Sequence, residues 1–114
     1  MAAKETRAEL NISIVVFKEQ DLFVAQGLEH DICVQAPTIP KLLKRFERVA
    51  LASYFACIQE NLDFNKSFPP AAPAFWEMFE KARRDGPPLG KSSADGGDAS
   101  IVIPQIRYIE GLAA

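Results

Sequence analysis

The chain has 114 residues, 48% hydrophobic and 25% charged, which suits one globular domain with a modest core and excludes a disordered protein. Its 13 basic and 15 acidic side chains give a formal net charge of -2, so no whole-molecule attraction to nucleic acid or anionic membrane is expected. The two cysteines, Cys33 and Cys57, have no paired spacing, which argues against a disulfide framework and for reduced thiols.

The opening "MAAKETRAEL" carries both signs of charge and no apolar stretch, so a polar lead-in is expected and not a secretory signal. A first strand follows over about residues 10–18, with Leu10, Ile12, Ile14 and Val16 on one face at period two. Val15 and Phe17 occupy the other face, so that face is not wholly solvated. "KEQD" forms a turn into a second strand over about 22–27, where Leu22, Val24 and Gln26 alternate against Phe23 and Ala25. Gly27 is expected to end it by taking a backbone conformation that other residues avoid. After "LEHD", the segment "ICVQA" is a third strand over about 32–36, completing an antiparallel meander.

Pro37 stops that strand, Thr38 is an N-cap, and Pro40 is tolerated in the first helical turn, where its missing N–H has no helical partner. A long helix is predicted over about 39–61. Its sheet-facing row is Ile39, Leu42, Leu43, Phe46, Val49, Ala50, Ser53 and Cys57. A second apolar row, Leu51, Phe55, Ile58 and Leu62, is turned away from the first and needs another covering element. The aromatic segment "FWEMF" predicts a short helix over about 73–84 that packs on this second row through Phe75, Phe79 and Ala82. A homodimer contact through the same surface is the alternative.

The stretch 85–100, rich in Gly, Pro, Ser and Asp, is expected to be a flexible linker. "IVIPQIRYI" then predicts a strand over about 101–109, and Pro104, which cannot donate a ladder hydrogen bond, assigns it to an edge. Such a strand can close its own sheet or be exchanged with a neighbouring chain. The expected fold is therefore a single α+β domain over 10–109. It has an antiparallel sheet of three to four strands, one long helix across it and a second short helix, in the order β-β-β-α-α-β.

Two features carry candidate chemistry. His30, Asp31 and Cys33 contain the types needed for acid–base or nucleophilic work, but adjacent residues on an extended chain point to opposite sides. A turn histidine and a buried strand cysteine are the expected roles. One histidine and two distant cysteines do not make a metal site, and no phosphate-loop, dinucleotide or hydrolase motif occurs, so no metal or cofactor is expected. Lys41, Lys44, Arg45 and Arg48 recur at i, i+3, i+4 and i+7, forming a basic stripe opposite the sheet-facing row. It could dock phosphates or an acidic partner surface, with Glu47 diluting the charge. The longest apolar-rich run, "VALASYFACI", is half a membrane span, and a cytoplasmic protein is expected.

The order of three strands and a capped amphipathic helix resembles the N-terminal module of HicB-type antitoxins over roughly residues 10–60. In "GLEHDICVQAPT", Cys33 matches that family's cysteine, Gln35 its polar strand position and Thr38 its helix-starting threonine. The family's turn prolines and glycine are missing. No helix-turn-helix or ribbon-helix-helix tail follows in the sequence, so operator DNA binding is not implied. The resemblance implies a HicB-like fold, a homo-oligomer of two or more chains, no catalytic residue, and occlusion of a small basic RNA-cleaving toxin as the function. Glu29 and Asp31, at the turn beside the outer surface of Leu22–Gln26, are then the expected acidic contacts to such a toxin. A nucleic-acid-binding module using the basic stripe, or an oligomeric small-molecule-binding domain, are the alternatives.

Overall fold

The computed structural model describes residues 8–110 and has the expected α+β architecture, built on two sheets that share two long, broken strands. The expected strand over 10–18 is two: β1 (Ala8–Asn11) and β2 (Ile14–Glu19), interrupted at Ile12 and Ser13. The C-terminal segment is likewise interrupted at Pro104 and Gln105, so the single edge strand expected there is β6 (Ala99–Ile103) followed by β7 (Ile106–Tyr108). Pro104 has no N–H to give a ladder, and the break falls there. The two broken strands run parallel at the same level, with Leu10 opposite Ile101 and Ile14 opposite Ile106. The Ile12 amide donates to Val102 O and the Ile14 amide to Gln105 O, both at 3.1 Å, carrying the pairing across the break.

β7 is an edge strand, as the proline implied, whereas β6 is the centre of its sheet. The four-stranded sheet has the order β4-β3-β2-β7, with β3 at Leu22–Gly27 and β4 at Cys33–Ala36 in antiparallel pairing with β2 and β3 respectively. The three-stranded sheet has the order β1-β6-β5. Its β5 (Ser92–Asp95) lies inside the stretch 85–100, so the expected linker is partly a hairpin. "DGGD" is the turn of that hairpin: Gly97 sits at φ 92°, which favours glycine, and its amide donates to Asp95 Oδ1 at 2.9 Å.

α1 (Ile39–Gln59) starts where the sequence says. Thr38 Oγ1 accepts the Lys41 amide at 3.3 Å, and a proline follows in the first turn. It ends by a local device: Asn61, at φ 58°, donates to Ile58 O, and the Leu62 amide donates to Cys57 O at 2.7 Å. This 6→1 and 5→2 pair satisfies carbonyls the helix leaves open. Leu42, Phe46, Ala50 and Cys57 bury against Ile14, Val16, Ala25 and Ile106 of the four-stranded sheet and Ile101 and Ile103 of β6. α2 (Phe64–Ser67), a single turn capped by Asp63, brings Phe64 to the same core.

α3 (Pro73–Asp85) corrects the expected packing. It does not brace the second apolar row of α1 but lies on the opposite face of the four-stranded sheet, against β2 and β7. Phe79 packs there with Val15, Leu28 and Ala71, flanked by Phe75, Trp76, Met78 and Ile109. The reason lies in β2, where Ile14, Val15 and Val16 are consecutive and apolar, so both faces of that strand need a cover. Only the start of the second row of α1 is covered, and by the β5–β6 hairpin: Leu51 reaches Gly96 at its turn and, with Ala94, joins the main core. Farther along that row Ile58 and Leu62 stay exposed.

Gly27 also corrects an expectation. Its backbone is not in the left-handed region; it is a glycine because there is no room for a side chain. A Cβ there would lie 2.7 Å from His30 O, 3.0 Å from Phe46 Cζ and 3.1 Å from Ile12 Cγ2.

Candidate functional site

The only histidine and its neighbours have structural duties. His30 Nδ1 is hydrogen-bonded to Phe68 O at 2.9 Å, and its ring lies 4.4 Å from that of Phe64, so it ties the β3–β4 turn to α2. The Asp31 amide donates to Pro69 O at 2.6 Å, and its Oδ1 accepts Gln26 Nε2 at 2.8 Å. That bond satisfies a glutamine buried in β3. Cys33 is exposed on β4, contrary to the buried position expected, because Val34 and Ala36 take the core-facing positions. Cys57 is the buried cysteine. Partial desolvation holds the Cys33 thiol above its ordinary pKa, with the Asp31 and Glu19 carboxylates adding to the effect. A thiol tuned that way is a poor nucleophile at neutral pH.

The acidic turn is occupied too. Glu29 Oε1 accepts the Ser13 amide at 2.6 Å, at the break between β1 and β2. On the outer surface of β3, Val24 and Gln26 are each only 3% exposed, leaving Leu22 as its accessible apolar residue. Glu29 and Asp31 therefore hold the turn together, and the strand surface expected beside them is largely covered.

The basic stripe is the open feature. Lys41, Lys44, Arg45 and Arg48 are all exposed on α1 and line one groove together with Pro40 and Val49. The Arg45 guanidinium donates to Gln35 O on the outer edge of β4, which fixes one cation and partly blunts that edge. Glu47, expected to dilute the stripe, points instead to β5, where Ser92 Oγ donates to its carboxylate. Among the described residues the one ion pair is Arg83 with Glu80 on α3, so Lys41, Lys44 and Arg48 have no carboxylate partner there.

The groove continues past the stripe, a feature the sequence pattern missed. Val49, expected on the sheet-facing row, is 36% exposed, and it also lines a second groove along the C-terminal half of α1. Ala52, Ala56, Leu62 and Phe68 form its apolar walls, with Glu60 at its margin. Leu62 is 56% exposed, far more than a core leucine. The signal available was the edge position of Val49 on the helical wheel, next to Arg45 and Ala52.

Among the described residues, no group of three or more His, Cys, Asp or Glu side chains could hold a metal ion, and no helix is long and apolar enough to cross a membrane. The fold and this face together define an α+β domain with one open, partly basic helix surface. No protein-family model matches the chain, no curated protein is similar to it in sequence, and no solved structure matches it.

Proposed function

We propose that this chain is a non-catalytic protein-binding module that docks its partner on the exposed face of α1 and acts by covering part of the partner's surface. The observation that carries this is the groove itself: three cations without carboxylate partners among the described residues run directly into an apolar trough through the shared Val49. A protein surface offers both chemistries, charge for Lys41, Lys44 and Arg48 and apolar side chains for the trough. A phosphate backbone matches only the basic half. The engagement of His30, Asp31 and Glu29 in internal hydrogen bonds supports a binding role over chemistry at that turn. The order of strands β2, β3, β4 and helix α1 suggests a HicB-like antitoxin role as the specific form, in which a small basic RNA-cleaving toxin would meet Lys41, Lys44 and Arg48 through an acidic segment of its own.

The test is affinity capture of the tagged chain from its own host beside the Lys41→Glu/Lys44→Glu/Arg48→Glu variant, after circular dichroism shows that both fold alike. A protein recovered in stoichiometric amount by the wild type and lost from the variant is the expected result. Recovery of nucleic acid alone, or of the same protein by both, overturns the docking face. A small toxin protein among the captured chains supports the antitoxin form.

A further inference from the structure

Resting on that reading, we infer that the partner element is an amphipathic helix, acidic at one end and apolar at the other, lying along α1 with its acidic end over Lys41, Lys44 and Arg48. The two grooves follow one another along α1, the second completed beyond its end by Leu62 and Phe68. Lys41, Lys44 and Arg48 line the N-terminal part, Ala52, Ala56 and Leu62 the C-terminal part, and Val49 belongs to both. At about 1.5 Å per residue the stretch of α1 from Lys41 to Gln59 is roughly 27 Å long, the length of a helix of about five turns. The walls of the trough are small at Ala52 and Ala56, which lets a second helix axis approach closely.

Charge decides the chemistry of the acidic end. With Glu47 turned to Ser92 and Arg45 held by Gln35 O, Lys41, Lys44 and Arg48 remain for carboxylates from outside. A second copy of this chain fits poorly. Side by side in parallel, two α1 helices set cations against cations; antiparallel, each offers the single carboxylate Glu60 to three cations. A nucleic acid would leave Val49 and Leu62 without apolar cover, and the aromatic Phe68 is only partly exposed for base stacking.

The full chain carrying a photo-crosslinking amino acid at Lys44, or in a second preparation at Ala56, is expressed in its host, and the adducts are mapped by mass spectrometry. Both positions are exposed, so the fold tolerates the probe. The expected result is one partner helix in which the Lys44 probe marks a turn rich in Asp or Glu. The Ala56 probe marks apolar residues about three turns away, matching the roughly 18 Å between the two positions on α1. Lys41→Glu/Arg48→Glu lowers the Ala56 adduct at least tenfold. Adducts on a protein segment without that acidic-to-apolar order overturn this inference while leaving the protein-binding reading intact. Adducts only on another part of this chain, on a second copy, on nucleic acid, or on nothing overturn both.

Discussion

Gly27→Ala tests the packing that joins the two halves of the fold. The added Cβ meets three atoms at once: His30 O at 2.7 Å, Phe46 Cζ at 3.0 Å and Ile12 Cγ2 at 3.1 Å. None can retreat easily. Phe46 and Ile12 are fully buried, and His30 O accepts the Ile32 amide at 2.8 Å inside a turn closed by the Gly27 amide on Ile32 O, also 2.8 Å. Overpacking of this kind costs about 1–3 kcal/mol, and disturbing the Ile32 hydrogen bond adds about 1 kcal/mol. Restricting the unfolded chain returns about 0.4–1 kcal/mol, because the position does not need a positive φ. The expected net loss is about 1–3.5 kcal/mol, a fall of roughly 5- to 300-fold in the folded-to-unfolded ratio at about 1.4 kcal/mol per decade. In urea, with a slope of about 1.5 kcal/mol per molar, the midpoint should drop by about 0.7–2.3 M. Gly96→Ala is the control. Its Cβ would meet the Leu51 methyls at 3.1 and 3.3 Å, ends of a flexible side chain, besides Ala99 O at 3.1 Å. It should cost less than Gly27→Ala. A Gly27→Ala protein as stable as the wild type, or more stable than Gly96→Ala, would refute the reasoning.

Removing the Glu29 carboxylate (Glu29→Ala) strips the Ser13 amide of its acceptor, and chemical unfolding should show a loss of about 1–2 kcal/mol. Charge reversal at Glu29 is for this reason a poor probe of binding, since a stability loss would be mistaken for a lost contact. Asn61→Ala should cost about 1 kcal/mol because Asn61 holds φ 58°, while Asn61→Gly should be neutral or stabilising; equal losses for both would mean the αL residue does not end the helix. The Cys33 thiol should alkylate more slowly than free cysteine at pH 8, with its rate inflection displaced upward, followed site by site by mass spectrometry. A raised thiol pKa means the folded chain keeps its proton longer than the unfolded one, so this group's stabilisation is complete below the ordinary thiol pKa. It is lost as pH rises through the folded value, and an inflection at or below that of free cysteine would contradict it.

The elements that were legible in the sequence are those whose signals are local. Thr38 and Pro40 set the start of α1, and Pro37 closes β4, because caps and φ restrictions act within a few residues. The misplacement of α3 came from a long-range choice. Its Phe79 fits any apolar surface, and only the consecutive Ile14, Val15 and Val16 hinted that the sheet had two faces to cover. β5 was hidden because Ser92, Ser93 and Asp95 have low strand propensity, and they are held by pairing with β6. At the site, the periodicity of the basic stripe was visible. The hydrogen-bond donors that engage Glu29, Asp31 and Glu47 were not, because Ser13, Gln26 and Ser92 reach them through the fold, across separations of 16, 5 and 45 residues.

The parallel pairing of the two broken strands also governs how the protein can emerge from a ribosome. β2 and β3 form a hairpin as soon as they are made, and β4 joins it locally. The remaining side of β2 waits for β7, whose register partners lie about ninety residues later in the chain, and β1 waits as long for β6. Until Tyr108 has cleared the exit tunnel, Ile14 and Val15 stand at an open sheet edge and α3 has only half its platform. Folding of this domain therefore waits for its last strand, and until then the growing chain displays an apolar strand edge that chaperones are suited to shield.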